Sequence, residues 1–322
     1  MPASTLPTSL TQVRGVRVGH AATPDGASGV SVVLFDDPAP SVVDVRGGAS
    51  ASFDTASLAL DATFGRRWAI FLSGGSLYGL DAARGVRTRI LELGKGQQTF
   101  GNPNPLVPIS GAALFDLPSR LGPIPDYLPL GYEAARVASK QTFTSGRIGA
   151  GTGSTVGKYL GREFAMRGGL GTAAASAGSN ASVGVLVAVN SVGAVRNPST
   201  GRWIAGARRS QGRIIAPTAR IGPDRLRARP GLGTNLVSVV TDVKVDRAVL
   251  QRVAVIAQTG LARVVVPANT ATDGDVVFVS STERVRLASA VERPGGIADR
   301  LGWLAAQLVG EAVLAAVRAA NA

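Results

Sequence analysis

Residues 231–242 read Gly-Leu-Gly-Thr-Asn-Leu-Val-Ser-Val-Val-Thr-Asp, and this stretch joins two different kinds of sequence. The residues before it, 206–233, are rich in arginine, contain three prolines and end in glycine, which predicts a surface loop or linker. From Thr234 onward, a partly alternating run of apolar residues predicts a buried strand. The junction between Gly233 and Thr234 therefore places a hydroxyl side chain at the boundary between a linker and the core.

A threonine at this boundary has a chemical use if the chain is cut in front of it. An interior threonine is a poor nucleophile, whereas an N-terminal threonine has its own α-amine as a base, with an ordinary pKa of about 7.7–8.0. The Thr234 hydroxyl would produce that terminus by attacking the carbonyl of Gly233, followed by hydrolysis of the resulting ester. The local sequence alone favours a simpler interpretation, in which Thr234 only begins a strand.

Three further sets of polar residues lie near the ends of predicted strands. A Thr-Asp-Gly-Asp turn puts Asp273 and Asp275 at alternate positions, where two carboxylates can orient an ammonium and a hydroxyl. An ordinary Asp-Gly turn is an equally good interpretation. Asn190 ends an apolar run and has an amide donor suited to an oxyanion, although a capping or turn asparagine is the commoner case. His20 follows a predicted strand and is interpreted as structural.

The composition limits the chemistry further. Of the 322 residues, 45% are hydrophobic and 17% are charged, so the chain has enough apolar residues for a large core. It has no cysteine and one histidine, which excludes disulfides, thiolate chemistry and multi-histidine metal sites. A serine–histidine–aspartate triad would have to use His20. The base of a hydrolytic reaction is therefore expected to be an amine or a carboxylate, with no metal or cofactor.

The basic charge does not point to a macromolecular partner. The net charge of +13 arises from 30 arginines and 4 lysines spread along the chain. The densest group of arginines, over 208–229, contains no aromatic residue that could stack on bases, so we expect no nucleic-acid partner. The sequence shows no apolar N-terminal signal and no apolar run of spanning length. We therefore expect no membrane partner and a cytoplasmic location.

The remaining pattern indicates strands and helices in a layered α/β domain. Strands are predicted over 13–18, 30–35, 69–72, 181–190, 234–241 and 275–280, and helices over 77–93, 246–261 and near the C-terminus. Residues 101–130 contain seven prolines and are predicted to form a long ordered loop. The glycine-rich segment 149–157 lacks the spacing of a phosphate-binding loop. It leads into Lys158, for which a functional lysine and a surface lysine are equally good interpretations.

Several stretches, in order, resemble one known family over almost the whole chain. They are Val18–Ala21, Asp44–Ala49, Leu72–Ser76, Gly79–Ala83, Gly149–Gly153, Gly168–Ala173, Val183–Gly193 and Val239–Asp242. The family is that of the self-cleaving L-aminopeptidase/D-esterases, β-peptidyl aminopeptidases and 6-aminohexanoate-oligomer endohydrolases, or nylon hydrolases. The resemblance implies an αββα sandwich similar to N-terminal nucleophile hydrolases. It also implies one catalytic domain, 1–322, that cuts itself into 1–233 and 234–322 and assembles as a homo-oligomer, a tetramer of cleaved heterodimers.

The resemblance also implies a role for each candidate residue. Thr234 matches the nucleophile, because it opens the strand that leads to the family's Thr-Asp pair. Asn190 matches the asparagine that stabilises the oxyanion, and Lys158 matches the active-site lysine. Asp273 and Asp275 match the Asp-Gly-Asp of the nylon-hydrolase branch, whereas the aminopeptidase branch has serine and glutamate there.

Two branches of the family therefore remain as functions. The threonine and the acidic pair favour an endo-acting amidase on linear polyamide oligomers such as those of 6-aminohexanoate. Gly233 differs from the asparagine of the nylon-hydrolase branch and agrees with the other branch, so an aminopeptidase, amino-acid amidase or β-peptidyl aminopeptidase is the alternative. A chain that never cleaves would instead be a non-enzymatic paralogue.

Overall fold

The computed structural model describes residues 9–99, 101–117, 122–208, 212–217, 233–287 and 295–322. Most of the linker predicted over 206–233 lies outside this part of the chain. The strands in chain order are β1 (Val16–Ala22), β2 (Gly29–Val45), β3 (Ala51–Phe53), β4 (Arg66–Ser73), β5 (Gln97–Thr99), β6 (Asn102–Leu106), β7 (Ile109–Ala113), β8 (Thr155–Val156), β9 (Met166–Arg167), β10 (Gly169–Gly178), β11 (Ala181–Asn190), β12 (Ala194–Arg196), β13 (Trp203–Ala205), β14 (Thr234–Val243), β15 (Val265–Val266) and β16 (Val276–Val285). The α-helices are α1 (Ala82–Glu92), α2 (Tyr127–Arg136), α3 (Arg247–Val264) and α4 (Gly296–Ala320).

The long strand β2 joins two halves of one hydrogen-bonded array. The strand order is β10-β11-β14-β16-β2-β4-β7-β3, with β1 also paired to β2. The first part of β2 pairs with β1 and β4, and its last part, Ser41–Val45, pairs with β16. Its pairing with β4 shifts register between Leu34 and Ala39, a segment that contains Pro38. This irregularity lets the two halves of the array stack face to face instead of continuing as one open sheet.

Three buried clusters of side chains separate four layers. The first cluster joins α3 and α4 to alternate valines of the β10–β16 half, such as Val187. The middle cluster lies between the two halves and includes Leu72 and Phe278. The third joins α1 and α2 to the other half through residues such as Phe71 and Val86. Because each strand alternates between two of these clusters, both of its faces are apolar. The chain is an αββα sandwich, which confirms the predicted fold class.

The structure corrects two local predictions. The segment 101–130, predicted as a loop because of its prolines, contains the buried strand β7 and the start of α2. The helix predicted from Leu77 begins at Ala82, after a 3₁₀ segment over Ser76–Asp81. Helix α4 is long and apolar enough to cross a membrane by length and composition. Its buried residues, such as Val309 and Val313, belong to the first cluster, which accounts for its apolar character.

Candidate active site

One end of the β10–β16 half brings the predicted site residues together. Thr234 begins β14 and pairs with Asn190, the last residue of the antiparallel neighbour β11. On the other side, β16 runs parallel to β14, and Asp273 pairs with Gly233 just before β16 begins. Each of the five predicted side chains is at most 4% exposed: Lys158, Asn190, Thr234, Asp273 and Asp275. Strand pairing therefore gathers residues that lie up to 117 positions apart.

The Thr234 hydroxyl lies against the carbonyl group that precedes it. Thr234 Oγ1 donates a hydrogen bond to the carbonyl oxygen of Gly233 at 2.5 Å. The backbone N–H of Gly274 donates to the same oxygen at 2.9 Å. A carbonyl that accepts two hydrogen bonds is polarised, and the N–H of Gly274 is placed to stabilise negative charge on that oxygen.

Asp273 leaves one carboxylate oxygen facing this peptide. Its Oδ2 accepts hydrogen bonds from Thr270, at 3.0 Å from N and 2.8 Å from Oγ1. Its Oδ1 is buried and accepts no hydrogen bond within the described residues. A Cβ added to Gly233 would come within 1.9 Å of this Oδ1. Because Gly233 has no Cβ, it leaves room for this carboxylate oxygen, which explains why glycine occupies the position before Thr234.

Asp275 is held by three donors at the start of β16. Its Oδ1 accepts from Asn235, at 2.7 Å from N and 2.9 Å from Nδ2, and its Oδ2 accepts from the N–H of Asn269 at 2.8 Å. Burial, and after it the charge of Asp273, raise the pKa of Asp275 to about 7, although these hydrogen bonds act in the opposite direction. No hydrogen bond joins Asp275 to Thr234 within the described ranges, so Asp275 lies near Thr234 without contacting its hydroxyl.

The segment after β2 fixes the position of the acidic turn. The N–H groups of Arg46 and Gly47 donate to the carbonyl oxygen of Asp275, at 3.1 and 3.2 Å. The N–H of Ala49 donates to the carbonyl oxygen of Asp273 at 2.9 Å. These backbone contacts explain why the Asp-Val-Arg-Gly-Gly stretch, residues 44–48, belongs with the site although none of its side chains was predicted to react.

Lys158 and Asn190 form a buried pair beside Thr234. Lys158 Nζ donates to the carbonyl oxygen of Asn190 at 2.8 Å, to Asn190 Oδ1 at 2.9 Å and to the carbonyl oxygen of Thr155 at 3.0 Å. Asn190 Nδ2 donates to the carbonyl oxygen of Phe115 at 3.1 Å. Burial lowers the pKa of Lys158 from 10.5 to about 7, and the charge of Arg162 adds to this effect. The lysine fixes the amide orientation of Asn190, whose nitrogen has a second hydrogen available.

Asp116 is a third buried acid near the site, and the sequence did not indicate it. It directly follows Phe115, and its Oδ1 accepts from the N–H of Gly75 at 2.7 Å. Its Oδ2 accepts from Ser28 Oγ at 2.7 Å, and Ser28 Oγ also contacts Tyr127 OH at 2.7 Å. Burial raises the pKa of Asp116 to about 6, although these hydrogen bonds act in the opposite direction. Asp116 lies in the proline-rich segment 101–130 and belongs to no recognisable sequence motif. Only its tertiary contacts show that it is buried near the site.

His20 lies at the glycine-rich segment. His20 Nδ1 contacts Ser31 Oγ at 2.9 Å, and Ser31 Oγ accepts from the N–H of Ala150 at 3.0 Å. The ring packs edge-on against Phe143, and burial lowers the pKa of His20 to about 4. His20 thus orders the loop that leads to Lys158. Within the part of the chain that the structure describes, no group of three or more His, Asp or Glu side chains is arranged to hold a metal ion.

Comparisons with known proteins cover nearly the whole chain. A family model described as peptidase family S58 matches residues 8–322. The chain is 35% identical to an uncharacterized aminopeptidase of Mycobacterium leprae, over 97% of this chain and 91% of that protein. It is 27% identical to the 6-aminohexanoate-oligomer endohydrolase of Kocuria sp., over 94% of this chain and 84% of that protein.

A solved structure shows the same fold. It is the L-aminopeptidase D-Ala-esterase/amidase from Ochrobactrum anthropi, described as a variant of the Ntn hydrolase fold. The TM-score is 0.71 at 20% identity, over 99% of this chain and 89% of that one. The αββα sandwich described above is therefore of the Ntn hydrolase type.

Proposed function

The chain belongs to peptidase family S58 and has an Ntn hydrolase fold, and from this premise we propose that it is an amidase with an N-terminal threonine nucleophile. In this proposal the chain cuts itself between Gly233 and Thr234. The two parts, 1–233 and 234–322, then stay together, because β14 pairs with β11 and β16 pairs with β2, and both β11 and β2 belong to the first part. The mature enzyme hydrolyses amide bonds with Thr234.

The contact between the Thr234 hydroxyl and the Gly233 carbonyl carries this proposal. The oxygen of the hydroxyl attacks the carbonyl carbon of Gly233, and the free oxygen of Asp273 lies beside this peptide to take the proton. The C–N bond then breaks, the proton passes to the leaving nitrogen, and an ester remains on the Thr234 oxygen. Water hydrolyses that ester, which gives a carboxylate at Gly233 and restores the hydroxyl of Thr234 beside a new α-amine.

The same groups support turnover of a substrate. The α-amine of Thr234 takes the proton of its own hydroxyl as that hydroxyl attacks the substrate carbonyl. The carboxylates of Asp273 and Asp275 balance the positive charge of the α-amine once it is protonated, and they orient it. The second hydrogen of Asn190 Nδ2 stabilises the oxyanion, and Lys158 keeps that amide in place. The protonated α-amine returns the proton to the leaving nitrogen as the C–N bond of the substrate breaks, and the acyl group remains as an ester on the Thr234 oxygen. Water then hydrolyses this ester, which releases the acid and restores the hydroxyl.

Asp116 favours substrates with a free amino group. Its carboxyl follows Phe115, whose carbonyl accepts from Asn190 Nδ2, and its charge raises the pKa of Lys158, so Asp116 belongs to the Lys158–Asn190 side of the site. A buried carboxylate in this place can bind an ammonium, which would fix the amino end of a substrate at a set distance from Thr234. The 35% identical relative named as an aminopeptidase agrees with an exo-acting enzyme of this kind.

Endo-type hydrolysis of linear 6-aminohexanoate oligomers is the second candidate. The observation that favours it is the combination of Thr234 with the acidic pair Asp273 and Asp275, as in the nylon-hydrolase branch. The 27% identical endohydrolase of Kocuria sp. is consistent with it. The two candidates differ in one testable property, because an endo-acting enzyme does not need a free amino group on its substrate.

A matched substrate panel separates the candidates. Each amino-acid anilide and each 6-aminohexanoate oligomer is assayed with a free amine and in N-acetylated form. The aminopeptidase proposal predicts that acetylation abolishes hydrolysis. It also predicts that Asp116→Asn raises KM for free-amine substrates about 10–100-fold, the usual range for losing one charged hydrogen-bond partner. The control Asp61→Asn changes an exposed carboxylate and should leave KM unaltered.

Equal rates on the free and acetylated oligomers would instead support the endo-acting candidate. A wild-type chain that never cuts itself and hydrolyses none of these amides would contradict both.

A further inference from the structure

Asn235, the residue after the proposed nucleophile, is completely buried and only half satisfied. Its side chain is 0% exposed. Its Nδ2 donates to Asp275 Oδ1 at 2.9 Å, whereas its Oδ1 accepts no hydrogen bond within the described residues. A buried amide oxygen without a donor is unfavourable and uncommon in a folded protein. In the uncut chain, Asn235 Oδ1 is therefore a buried acceptor without a donor among the described residues, and it belongs to the residue that follows the Gly233–Thr234 peptide.

Cleavage would create such a donor at the right place. The peptide nitrogen of Thr234 would become an α-amine with up to three hydrogens, adjacent in the chain to Asn235. The same end of the strand has a second unpartnered buried oxygen, Asp273 Oδ1. Asn235 follows Thr234 in the chain and Asp273 pairs with Gly233, and neither of these two oxygens accepts a hydrogen bond within the described residues.

Asn235 also controls the carboxyl of Asp275. Of the three donors on that carboxyl, two are backbone N–H groups, and only Nδ2 of Asn235 belongs to a side chain. The charged groups around Asp275 are Asp273 on the same turn, Lys158 on the opposite side of β14, and the Asp44–Arg46 ion pair at the end of β2. A substitution at Asn235 therefore removes one donor from Asp275 without changing these charges.

We propose that Asn235 is a positioning residue, whose amide nitrogen holds the Asp275 carboxyl beside the start of β14 and whose free oxygen accepts from the α-amine of Thr234. The inference rests on the proposed self-cleavage and names a further residue of that same site. It assigns no bond-making step to Asn235, because the side chain touches the amine and the carboxyl rather than the substrate.

The direction of the pH effect follows from the hydrogen bond. The Asn235 side chain stabilises the charged carboxylate and so lowers the pKa of Asp275, against burial and the charge of Asp273. Without this donor the carboxyl keeps its proton to a higher pH. The acid limb of the rate profile then moves to higher pH, by about one unit for the loss of one charge-assisted hydrogen bond.

The test compares Asn235→Leu, which keeps the size and shape of the side chain, with Asn235→Ala. The matched control is Gln258→Leu, because Gln258 is a second buried amide with one donor contact, Nε2 to the carbonyl oxygen of Asp44 at 3.1 Å, and an unpartnered oxygen. Self-cleavage, kcat and KM are measured from pH 5 to 10. We expect both Asn235 variants to lose about 5-fold in kcat at pH 7, to recover at pH 9 and to keep KM within twofold.

The outcomes separate this inference from the proposed function. A wild-type chain that neither cuts itself nor hydrolyses amides would remove the proposed function itself. If the wild type is active but Asn235→Leu has the wild-type pH profile, the inference about Asn235 is wrong. A loss of equal size at every pH, with the acid limb in place, would also overturn it, because that is the effect of a general structural defect. Gln258→Leu should keep the wild-type profile.

Discussion

Replacing Lys158 with methionine removes a buried amine whose protonation the fold opposes. Burial lowers the pKa of Lys158 from 10.5 to about 7, so between these values the unfolded chain binds a proton that the folded chain does not. The free energy of unfolding contributed by this group therefore rises with pH across the window. One pKa unit corresponds to 1.36 kcal/mol, which gives an increase of about 4 kcal/mol between pH 7 and 10. Methionine has no proton to bind and should abolish this increase.

The same change removes three hydrogen bonds. The carbonyl oxygen of Thr155 and both oxygens of Asn190 lose the Nζ donor. At pH 10 the folded amine is neutral and little free energy is needed to remove the proton of the unfolded chain, so Lys158→Met should be less stable than its parent. At pH 7 the parent must remove the proton of Lys158 or bury a charged amine when it folds, whereas the methionine variant need not, and this difference offsets most of the lost hydrogen bonds. The unfolding free energies of Lys158→Met and its parent should therefore differ less at pH 7 than at pH 10.

Urea unfolding followed by tryptophan fluorescence measures this difference, with Lys158→Met and its parent both in a Thr234→Ala background. That background is expected to keep the chain in one piece, which permits a two-state treatment. The difference in unfolding free energy should grow by about 4 kcal/mol from pH 7 to 10. A difference that stays constant to within about 1 kcal/mol would refute the conclusion that Lys158 is a buried amine with a strongly lowered pKa.

Three further outcomes are expected. Gly233→Ala should slow self-cleavage at least 10-fold while the chain still folds, because its Cβ would come within 1.9 Å of Asp273 Oδ1; cleavage at the wild-type rate on a denaturing gel would contradict this. Asn190→Ala should lower kcat about 10²–10³-fold with KM nearly unchanged, as for an oxyanion donor, and steady-state kinetics in which only KM rises would argue against that role. Light scattering should give the mass of a tetramer of cleaved pairs, and a monomer at micromolar concentration would contradict the predicted assembly.

The sequence indicated the site residues that lie at the ends of strands. Thr234, Asn190 and Asp275 each stand where an apolar run begins or ends, so periodicity alone located them, although it did not show that they meet. The pairing depends on long-range register, which local patterns do not contain. The resemblance to the family supplied that information.

The sequence did not predict β10, β7 or α2, because glycine and proline occur both in loops and within packed strands and helices. No strand was predicted over the glycine-rich residues 168–171, but Gly171 lies in β10, where an added Cβ would come within 1.9 Å of the carbonyl oxygen of Ala312 on α4. The glycine there allows close packing of helix on sheet rather than a turn. In the same way, the prolines of 101–130 predicted a loop where β7 and α2 form, and Asp116, which lies between these two elements, was not recognised. A buried acid next to such a segment becomes recognisable only when Gly75 and Ser28 are brought to it by the fold.

The mass of the purified chain under denaturing conditions shows whether the chain cuts itself before Thr234. Wild-type protein should give two species, residues 1–233 and 234–322, and Thr234→Ala should give one inactive species at 32.8 kDa. An exposed or purely structural threonine would instead leave amidase activity unaffected by the substitution. A wild-type protein that hydrolyses amides while only the intact chain is present would contradict the N-terminal threonine mechanism.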